Sequence, residues 1–406
     1  METQPDDLAS WNRNVRLFAL YRVFFNMRFY YPVFALFYLD AGVSIEQFAV
    51  LQAIWSLSIV FFEVPSGIVA DLIGRTKTLR LGAFLAVIEM LVFALSTTFW
   101  GFALNRVLSG FNESLASGAD SALLYDSLKE AGRQDQYKQA LGKAQYQTLI
   151  FGSVSAVSGS LLYTVHMRLP IWFTAVCMVV TFIGSLFFRE TPRLKQKATF
   201  AAEWSMFCSS LKIVLDSREI LFLILFAFLV DSGIRIAMVH NSLYFQEILI
   251  PVAWFGAIGV GIRLVGSIVS KNAYRIDTAL GFNGSALVVG GLALASFAGM
   301  STMVPFLGVV FPLALAPCMF FVTVNVEGEI NSRIPSDFRA TILSIKNICL
   351  NMGFAAGMIL FDWRANESLS PSFWVLTAVF FVGGLLLFVA GRKVRIDSKA
   401  LEVERK

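Results

Sequence analysis

Charge is scarce in this chain. Of its 406 residues only 15% are Asp, Glu, Lys or Arg, where a soluble domain carries about a quarter. So little charge cannot give a water-facing surface all round, which excludes an ordinary soluble enzyme or binding module. Histidine is nearly missing. His166 and His240 lie near the outer ends of apolar stretches, and their spacing makes no metal site. The cysteines, Cys177, Cys208, Cys318 and Cys349, are scattered without a CxxC pair. They read as small buried hydrophobes. There is no GxxxxGK phosphate loop, which speaks against ATP as the direct drive. No His, Cys or Ser/His/Asp constellation suggests a membrane enzyme, and no soluble signalling domain suggests a receptor. Residues 1–11 are polar and acidic, without the basic start of a signal peptide. The first apolar span is therefore expected to direct insertion.

What is present is apolar. Hydrophobic residues make up 57% of the chain, with 39 Phe. The charges cluster, leaving apolar runs of about twenty residues, the length that crosses a roughly 30 Å hydrocarbon core. This predicts an all-α polytopic membrane protein. Twelve spans are expected, near 16–39, 44–70, 80–98, 100–128, 138–163, 170–188, 217–246, 251–270, 278–298, 303–330, 336–360 and 371–391. Several exceed twenty residues, so tilt is expected.

Lys and Arg in the connections set the orientation. With the N-terminus in the cytoplasm, the cytoplasmic loops hold Arg75, Lys77, Arg80, Lys129, Arg133, Arg189, Arg193, Lys195, Lys197, Lys271, Arg275, Arg333 and Arg339, and the tail adds more. The opposite loops hold only Arg168 and Arg364. Both termini are expected in the cytoplasm of a multi-pass plasma (inner) membrane protein. The net charge of +5 is spread over these short loops, which suits topology rather than nucleic acid. The longest polar connection, 189–216, carries Phe200, Trp204, Phe207 and Leu211 at helical spacing, the pattern of an interfacial helix. The expected organisation is a six-helix bundle over 1–188, this linker over 189–216, a second bundle over 217–391, and a cytoplasmic tail over 392–406.

The loop after the second span packs two glycines, a carboxylate and three cations into residues 67–80. A gapless echo recurs at 266–281, with Gly67 opposite Gly266, the Gly at 82 opposite Gly281, and Ser270 where the first copy has Asp71. Two six-span halves joined by a long loop are the pattern of repeat-built secondary transporters.

The pattern G-x-x-x-D-x-x-G-R, carried here by Gly67, Asp71, Gly74 and Arg75, resembles the loop 2–3 signature of the major facilitator superfamily, bacterial type. Arg106 and Gly110 resemble the R-x-x-x-G element of its fourth span. The antiporter pattern of its fifth span ends in Gly-Pro; Gly152 and Gly159 are present, but 151–163 contains no proline. The resemblance implies two pseudo-symmetric six-helix bundles with spans 1, 4, 7 and 10 around a central cavity. It also implies a cytoplasmic gate. Asp71 would cap the start of span eleven near Arg339, and Arg75 would pair with Asp126.

An ionisable residue at mid-bilayer costs about 2.5–3.5 kcal/mol, so each needs a reason. In span four Arg106, Glu113 and Asp120 recur every seven residues, with Gly110 and Ser117 on the same stripe. On a continuous helix all face one way, as internal salt bridges or as a cavity wall. Span one offers Arg22 and Asn26 on one face, with Arg28 about 120° away and Glu89 as its possible partner. Span two aligns Gln52, Ser56 and Glu63. Span seven places Asp231 four residues before Arg235, the spacing of an intrahelical pair. Span ten ends with Asn325, Glu327 and Glu329, and span eleven carries Lys346, Asn347 and Asn351.

These features suggest a secondary transporter of a small organic solute, working by alternating access. A proton gradient would drive it, no cofactor is expected, and efflux is slightly favoured by the surrounding aromatics. Glu113, Asp120 and Asp231 are the protonation candidates. Arg22 and Arg106 are candidates for an anionic substrate group or for tuning an acid, and Arg235 and Lys346 complete the polar lining. The expected partners are that solute and the bilayer, with the protein as a monomer. The alternatives are a lipid flippase of the same fold and a non-transporting receptor or assembly protein.

Overall fold

The computed structural model describes residues 5–116, 119–191, 200–335, 338–363 and 368–391; the side chains of 5–9, 64, 67–72, 116, 200–203 and 269–279 are outside the description. No strand occurs among the described residues. The helices are α1 (Pro5–Asn26), α2 (Phe34–Asp40), α3 (Ile45–Ile73), α4 (Arg75–Leu95), α5 (Phe99–Ala116), α6 (Ala119–Glu130), α7 (Tyr137–Val165) and α8 (Leu169–Leu186). They continue as α9 (Phe200–Asp216), α10 (Arg218–Val239), α11 (Asn241–Glu247), α12 (Phe255–Ser301), α13 (Val310–Phe321), α14 (Glu327–Arg333), α15 (Arg339–Asp362) and α16 (Ser370–Gly391). An all-helical chain is what a bilayer demands of an open fold, because backbone groups in hydrocarbon must find partners within the segment.

Nine stretches among the described residues are long and apolar enough to cross a membrane by themselves. The remaining spans, one, four and eight, fall short for identifiable reasons. Span one was expected to run unbroken over 16–39, but α1 stops at Asn26 and a 3-10 turn over Tyr31–Val33 precedes α2. Pro32 has no N–H to continue the ladder, and the freed groups find other partners. Asn26 Nδ2 donates to the Arg22 carbonyl at 2.7 Å, and the Phe29 amide donates to Thr174 Oγ1 at 3.0 Å. Span four is described in two stretches, α5 and α6, because 117 and 118 lie outside the described residues. The apolar part of span eight is only Val252–Ile268. Expected loop residues 271–277 lie inside α12, which bends instead at Gly281 (φ 67°, ψ 167°).

The chain forms two units. One takes Met1–Val43, Leu57–Phe200 and Val252–Ala257; the other takes Ser44–Ser56, Ala201–Pro251 and Ile258–Lys406. The boundary thus departs from a simple cut at the linker in two places: the first part of α3 belongs to the second unit, and Val252–Ala257 to the first.

In the first unit, α4 packs on α5 and α8, and α1 packs on α6, α7 and α8. Leu79, Ala83, Ala86, Met90 and Phe93 give α4 a buried stripe at helical spacing, the signature of a helix packed along one face. Tyr21, Leu79, Ala83, Ala119, Leu123 and Phe188 form one buried cluster, and Phe18, Leu124, Leu128 and Ala144 another. In the second unit α10 is the central helix, packed on α13, α15 and α16. On α16, Phe381, Val382, Leu385, Leu386 and Val389 are exposed. Such a face suits hydrocarbon rather than water. The linker helix α9 also exposes Trp204, Leu211 and Leu215, as an interfacial helix does.

The gapless repeat is corrected by backbone geometry. Gly74 is the positive-φ residue between α3 and α4, at φ 102° and ψ 153°, and Gly281 is its counterpart inside α12. The alignment of 67–82 on 266–281 sets Gly74 against Ala273, eight residues short of that hinge. Matching end glycines had outweighed the one glycine that the backbone needs.

The small-residue face of α7 allows a very close approach. A Cβ on Gly159 would overlap the Phe29 carbonyl, at the break in span one. A Cβ on Gly256, within the same unit, would overlap the Ala156 carbonyl. Gly142, on the same helix α7, has open space around it. Gly159→Ala is therefore expected to cost about 1–3 kcal/mol, as overpacking does, and to lower the detergent melting midpoint by several degrees. Gly142→Ala should hold or raise it, since Ala favours a helix over Gly by about 1 kcal/mol. Equal shifts in the two variants would contradict this packing.

Candidate functional site

The polar residues that hydropathy cannot explain gather in three places. The first is the end of the first unit where α3 meets α4. Gly74 turns the chain with a φ and ψ that side-chain-bearing residues avoid, and α4 then begins at Arg75. Its first amides would lack partners. The Glu190 carboxylate, just beyond α8, fills that need. Its Oε1 accepts the Arg75 amide at 3.0 Å, and its Oε2 accepts the Thr76 amide at 3.0 Å and the Thr76 hydroxyl. A negative group on a helix N-terminus is also favoured by the helix dipole. A Cβ at Gly74 would lie 2.8 Å from Glu190 Oε2, so the glycine is needed for space as well as conformation.

The Arg75 side chain turns the other way. It pairs with Asp126 of α6 and donates to the Ala122 carbonyl at 2.7 Å. Thr191 adds a 3.3 Å hydrogen bond to the same Asp126 carboxylate. Arg80 donates to the Ser185, Leu186 and Phe188 carbonyls at the end of α8, at 3.2, 3.2 and 2.6 Å. Asn14 of α1 brackets Arg189 through its amide and its carbonyl, at 3.0 and 2.8 Å. The start of the linker is thus clamped to the loop by both backbone and side chains. The Arg75–Asp126 pair is the one that the resemblance implies. The side chains of Gly67's segment, Asp71 included, lie outside the described residues. Arg339, in the second unit, is exposed and donates to the Asn331 carbonyl at 3.2 Å. Glu190 and Thr76 were not singled out in the sequence. Glu190 opens a basic linker and reads as a solvated charge, and only the fold brings it to a helix start more than a hundred residues earlier.

The second place is the interior of the first unit. Arg22 Nε lies 3.5 Å from Asp120 Oδ2, both half-buried. Arg28 faces the other way and meets Glu89 at 3.8 Å, both nearly inaccessible. Asn112 donates to Glu89 Oε2 at 3.2 Å, and Asn105 donates to the Glu89 carbonyl at 2.9 Å. Asn105 Oδ1 in turn accepts two bonds from Arg106, at 3.0 and 2.7 Å. The residues expected to share one polar stripe along span four have different surroundings. Arg106 is 3% exposed, and its guanidinium lies over Phe34, Tyr38 and Phe93 at 5.3–5.9 Å. It is a packed cation held by aromatic faces, poorly placed to meet a substrate anion. Glu113 is half-buried, Asn26 bonds its own helix, and Asp120 is engaged by Arg22 of α1. Ser117 is outside the described residues.

The third place lies in the second unit. Asp231 and Arg235 pair at 3.5 Å along α10. Arg235 also donates to Asn351 Oδ1 at 3.1 Å, and stands over the Phe354 and Trp55 rings at 4.5 and 5.6 Å. Ser56 donates to both oxygens of Asn351, at 2.8 and 3.1 Å. Lys346, nearly fully buried, pairs with Glu327. Arg333 pairs with Glu329 and, at 2.8 Å, with Glu219. Next to the start of α14 the helix widens into a π turn over Val322–Val326, a feature frequent at functional sites. A buried pair missed in the sequence is His240 with Asp362, 2.8 Å apart. Asp362 gave no signal because it closes span eleven, where an acid reads as a loop residue. No cluster of three or more His, Cys, Asp or Glu that would hold a metal occurs among the described residues.

The clamp and the pairs generate two expectations. Glu190→Ala should speed hydrogen exchange at the Arg75 and Thr76 amides roughly tenfold, matching the ~1 kcal/mol that a helix cap is worth; unchanged exchange would remove Glu190 from that role. Arg235→Met should lower the melting midpoint, because it leaves the Asp231 carboxylate unanswered. The double variant Asp231→Asn with Arg235→Met should regain most of the loss, since removing both partners of a buried pair costs less than removing one. A double variant as unstable as Arg235→Met would contradict this.

Comparison with known proteins bears on the whole arrangement. The chain is 30% identical over 148 residues to the class H tetracycline resistance protein of Pasteurella multocida, a match over 36% of each chain. It is 19% identical over 400 residues to the uncharacterized MFS-type transporter YxaM of Bacillus subtilis, covering 93% of this chain and 96% of that one. Its fold matches the crystal structure of the nucleoside transporter NupG with a TM-score of 0.77 at 11% identity, covering 94% and 98%. The family model described as Major Facilitator Superfamily matches residues 17–358. That span runs from the first membrane helix into the eleventh and contains the Gly74 turn with its Arg75–Asp126 pair, so the chain belongs to the Major Facilitator Superfamily and has its twelve-helix fold.

Proposed function

We propose that the protein is a proton-coupled secondary transporter that moves a small amphipathic organic solute out of the cell by alternating access. The observation that carries this is the set of ionic pairs within the spans. Arg22–Asp120 and Lys346–Glu327 join membrane helices and Asp231–Arg235 runs along one, at positions that a purely structural role would fill with apolar side chains. Such pairs are costly in hydrocarbon and mark ion and substrate pathways. An acid held by a cation has two states, ionised and paired or protonated and released. That is the exchange a proton-coupled cycle needs. Asp120 and Asp231 serve as the protonation sites and Glu113 as a third candidate. Arg22 and Arg235 receive polar groups of the solute while the rings of Trp55 and Phe354 take its apolar part. A tetracycline resistance protein among the relatives supports amphipathic cargo and the outward direction. The basic loops support a reading with both termini in the cytoplasm and the protein in the plasma membrane. There we infer a cytoplasmic gate built on the Glu190 clamp and Asp71.

A second reading has one observation in its favour. An apolar cavity of about 430 Å³ lies among α10, α12 and α16, lined by Phe222, Phe226, Leu287 and Phe388. It would suit an acyl chain, and so a lipid flippase of the same fold.

The test uses purified protein in proteoliposomes with a trapped pH dye and an imposed proton gradient, challenged in turn with tetracycline, ethidium and uridine. Tetracycline or ethidium is expected to discharge the gradient several-fold faster than in empty liposomes, and uridine to leave it unchanged. Asp71→Asn should reduce that flux at least tenfold. No proton movement with any of the three, together with protein-dependent crossing of a fluorescent phospholipid, would favour the flippase. Full flux in Asp71→Asn would remove the gate.

A further inference from the structure

His240 and Asp362 belong to none of the pairs assigned above. Both residues are 0% exposed, and the ring nitrogen Nε2 lies 2.8 Å from Asp362 Oδ1. The contact lacks the alignment of a linear hydrogen bond, and neither carboxylate oxygen has a hydrogen-bond partner among the described residues. The other ring nitrogen is fixed. Nδ1 lies 2.8 Å from the Ile236 carbonyl, which can only accept, so Nδ1 carries a hydrogen.

That assignment sets the proton count of the pair. A neutral ring with its hydrogen on Nδ1 would turn a bare lone pair toward an ionised carboxylate at 2.8 Å. The packing offers neither group an alternative. Phe48 of α3 stands edge-on to the imidazole at 5.7 Å, and Phe361 of α15 covers it at 4.6 Å. Of the other titratable groups nearby, Glu247 of α11 is engaged by Ser368 and the Leu369 amide, and the Tyr244 hydroxyl is donated to the Gly308 carbonyl. Arg235, one turn earlier on α10, is held by Asp231 and Asn351. Asp362 is thus the titratable group that faces the ring among the described residues.

The position is as informative as the chemistry. His240 is the residue at which α10 stops and α11 starts, with φ −88° and ψ 0°. Asp362 is the last residue of α15. One ion pair therefore ties the break in span seven to the end of span eleven.

We propose that His240 and Asp362 form a proton-binding site that latches this break: the pair closes while it holds one proton beyond the Nδ1 hydrogen, and α11 loosens when that proton leaves. Loaded, the pair is an imidazolium beside a carboxylate, with net charge zero. Unloaded, the proton has passed to water and the pair has net charge −1. A bare carboxylate in this apolar setting has no partner, so water must reach it and the contact opens. The role of the site in flux rests on the proton-coupled reading above, while its proton count does not.

The chain's two histidines make the count measurable. In the His166→Asn protein, labelled with ¹⁵N-histidine and ¹³C-aspartate in lipid nanodiscs, nitrogen and carboxyl NMR signals report each site at pH 7. The expected result is two protonated ring nitrogens, or one together with a protonated Asp362 carboxyl identified by its loss in Asp362→Asn. A singly protonated ring beside an ionised Asp362 would overturn the proposal. The latch is read separately by hydrogen exchange. Corrected for intrinsic rates, exchange of the 241–247 amides should rise at least tenfold between pH 6 and pH 9. In Asp362→Asn, where the amide can donate to Nε2 with no extra proton, it should stay flat. Equal pH responses in the two proteins would overturn the latch. Proton-linked flux that survives in Asp362→Asn while the NMR result holds would confine the site to the latch and leave the transport reading intact.

Discussion

A charge in hydrocarbon must be answered close by, and most of this architecture follows from how each one is answered. Arg22 finds Asp120, Arg28 finds Glu89, Arg235 finds Asp231 and Lys346 finds Glu327, each within its own unit. Arg106 makes no ion pair with an acid among the described residues; Asn105 and three aromatic rings hold it. The two solutions differ in consequence. A guanidinium caged by rings is satisfied without a proton to exchange, so it stiffens the bundle. A carboxylate paired with a cation is conditional, because a proton or a polar ligand can replace the cation. Pairs of the second kind give a membrane protein something to switch.

Charge and chain geometry meet in span one, which carries Arg22 and Arg28 and is interrupted between α1 and α2. The break near Arg28 allows its side chain to leave the face of Arg22 and reach Glu89. Gly159 permits the broken segment to lie directly against α7, since its missing Cβ leaves room for the Phe29 carbonyl. The lost helical bonds are offset locally by Asn26 and Thr174, as a bilayer requires of any non-helical backbone.

What could be read in the sequence was whatever depended on neighbours along one helix or on composition. Apolar run length located the twelve spans. The i, i+4 spacing gave Asp231 with Arg235. The angular offset of Arg28 from Arg22 pointed to a different helix, and Glu89 was there. The stripe through Arg106, Glu113 and Asp120 assumed one common environment, whereas Arg106 is packed among aromatic rings and Asp120 meets Arg22. The repeat alignment failed by eight residues because residue identity was weighed above backbone need. Glu190 and Asp362 were illegible for a further reason. Each lies at an element end, where an acid normally meets water, and its partner is more than a hundred residues away.

The two positive-φ hinge glycines now separate topology from control. Gly74 and Gly281 both reverse the chain between long apolar helices, and both need a glycine for conformation alone. If turning the chain were the whole task, the surroundings of the two would be interchangeable. They are not. A Cβ on Gly281 would meet nothing within 4 Å, whereas one on Gly74 would strike the Glu190 carboxylate. That carboxylate holds the start of α4, and the neighbouring Thr191 touches the Asp126 that holds Arg75. The first hinge is thus loaded with ionic and helix-cap contacts that connect it to the beginning of the linker, while the second makes none of these among the described residues. Helix-cap and ion-pair contacts of this kind are individually worth about 1 kcal/mol. Several of them in parallel fix the first hinge to the linker, which a turn that served only to reverse the chain would not require.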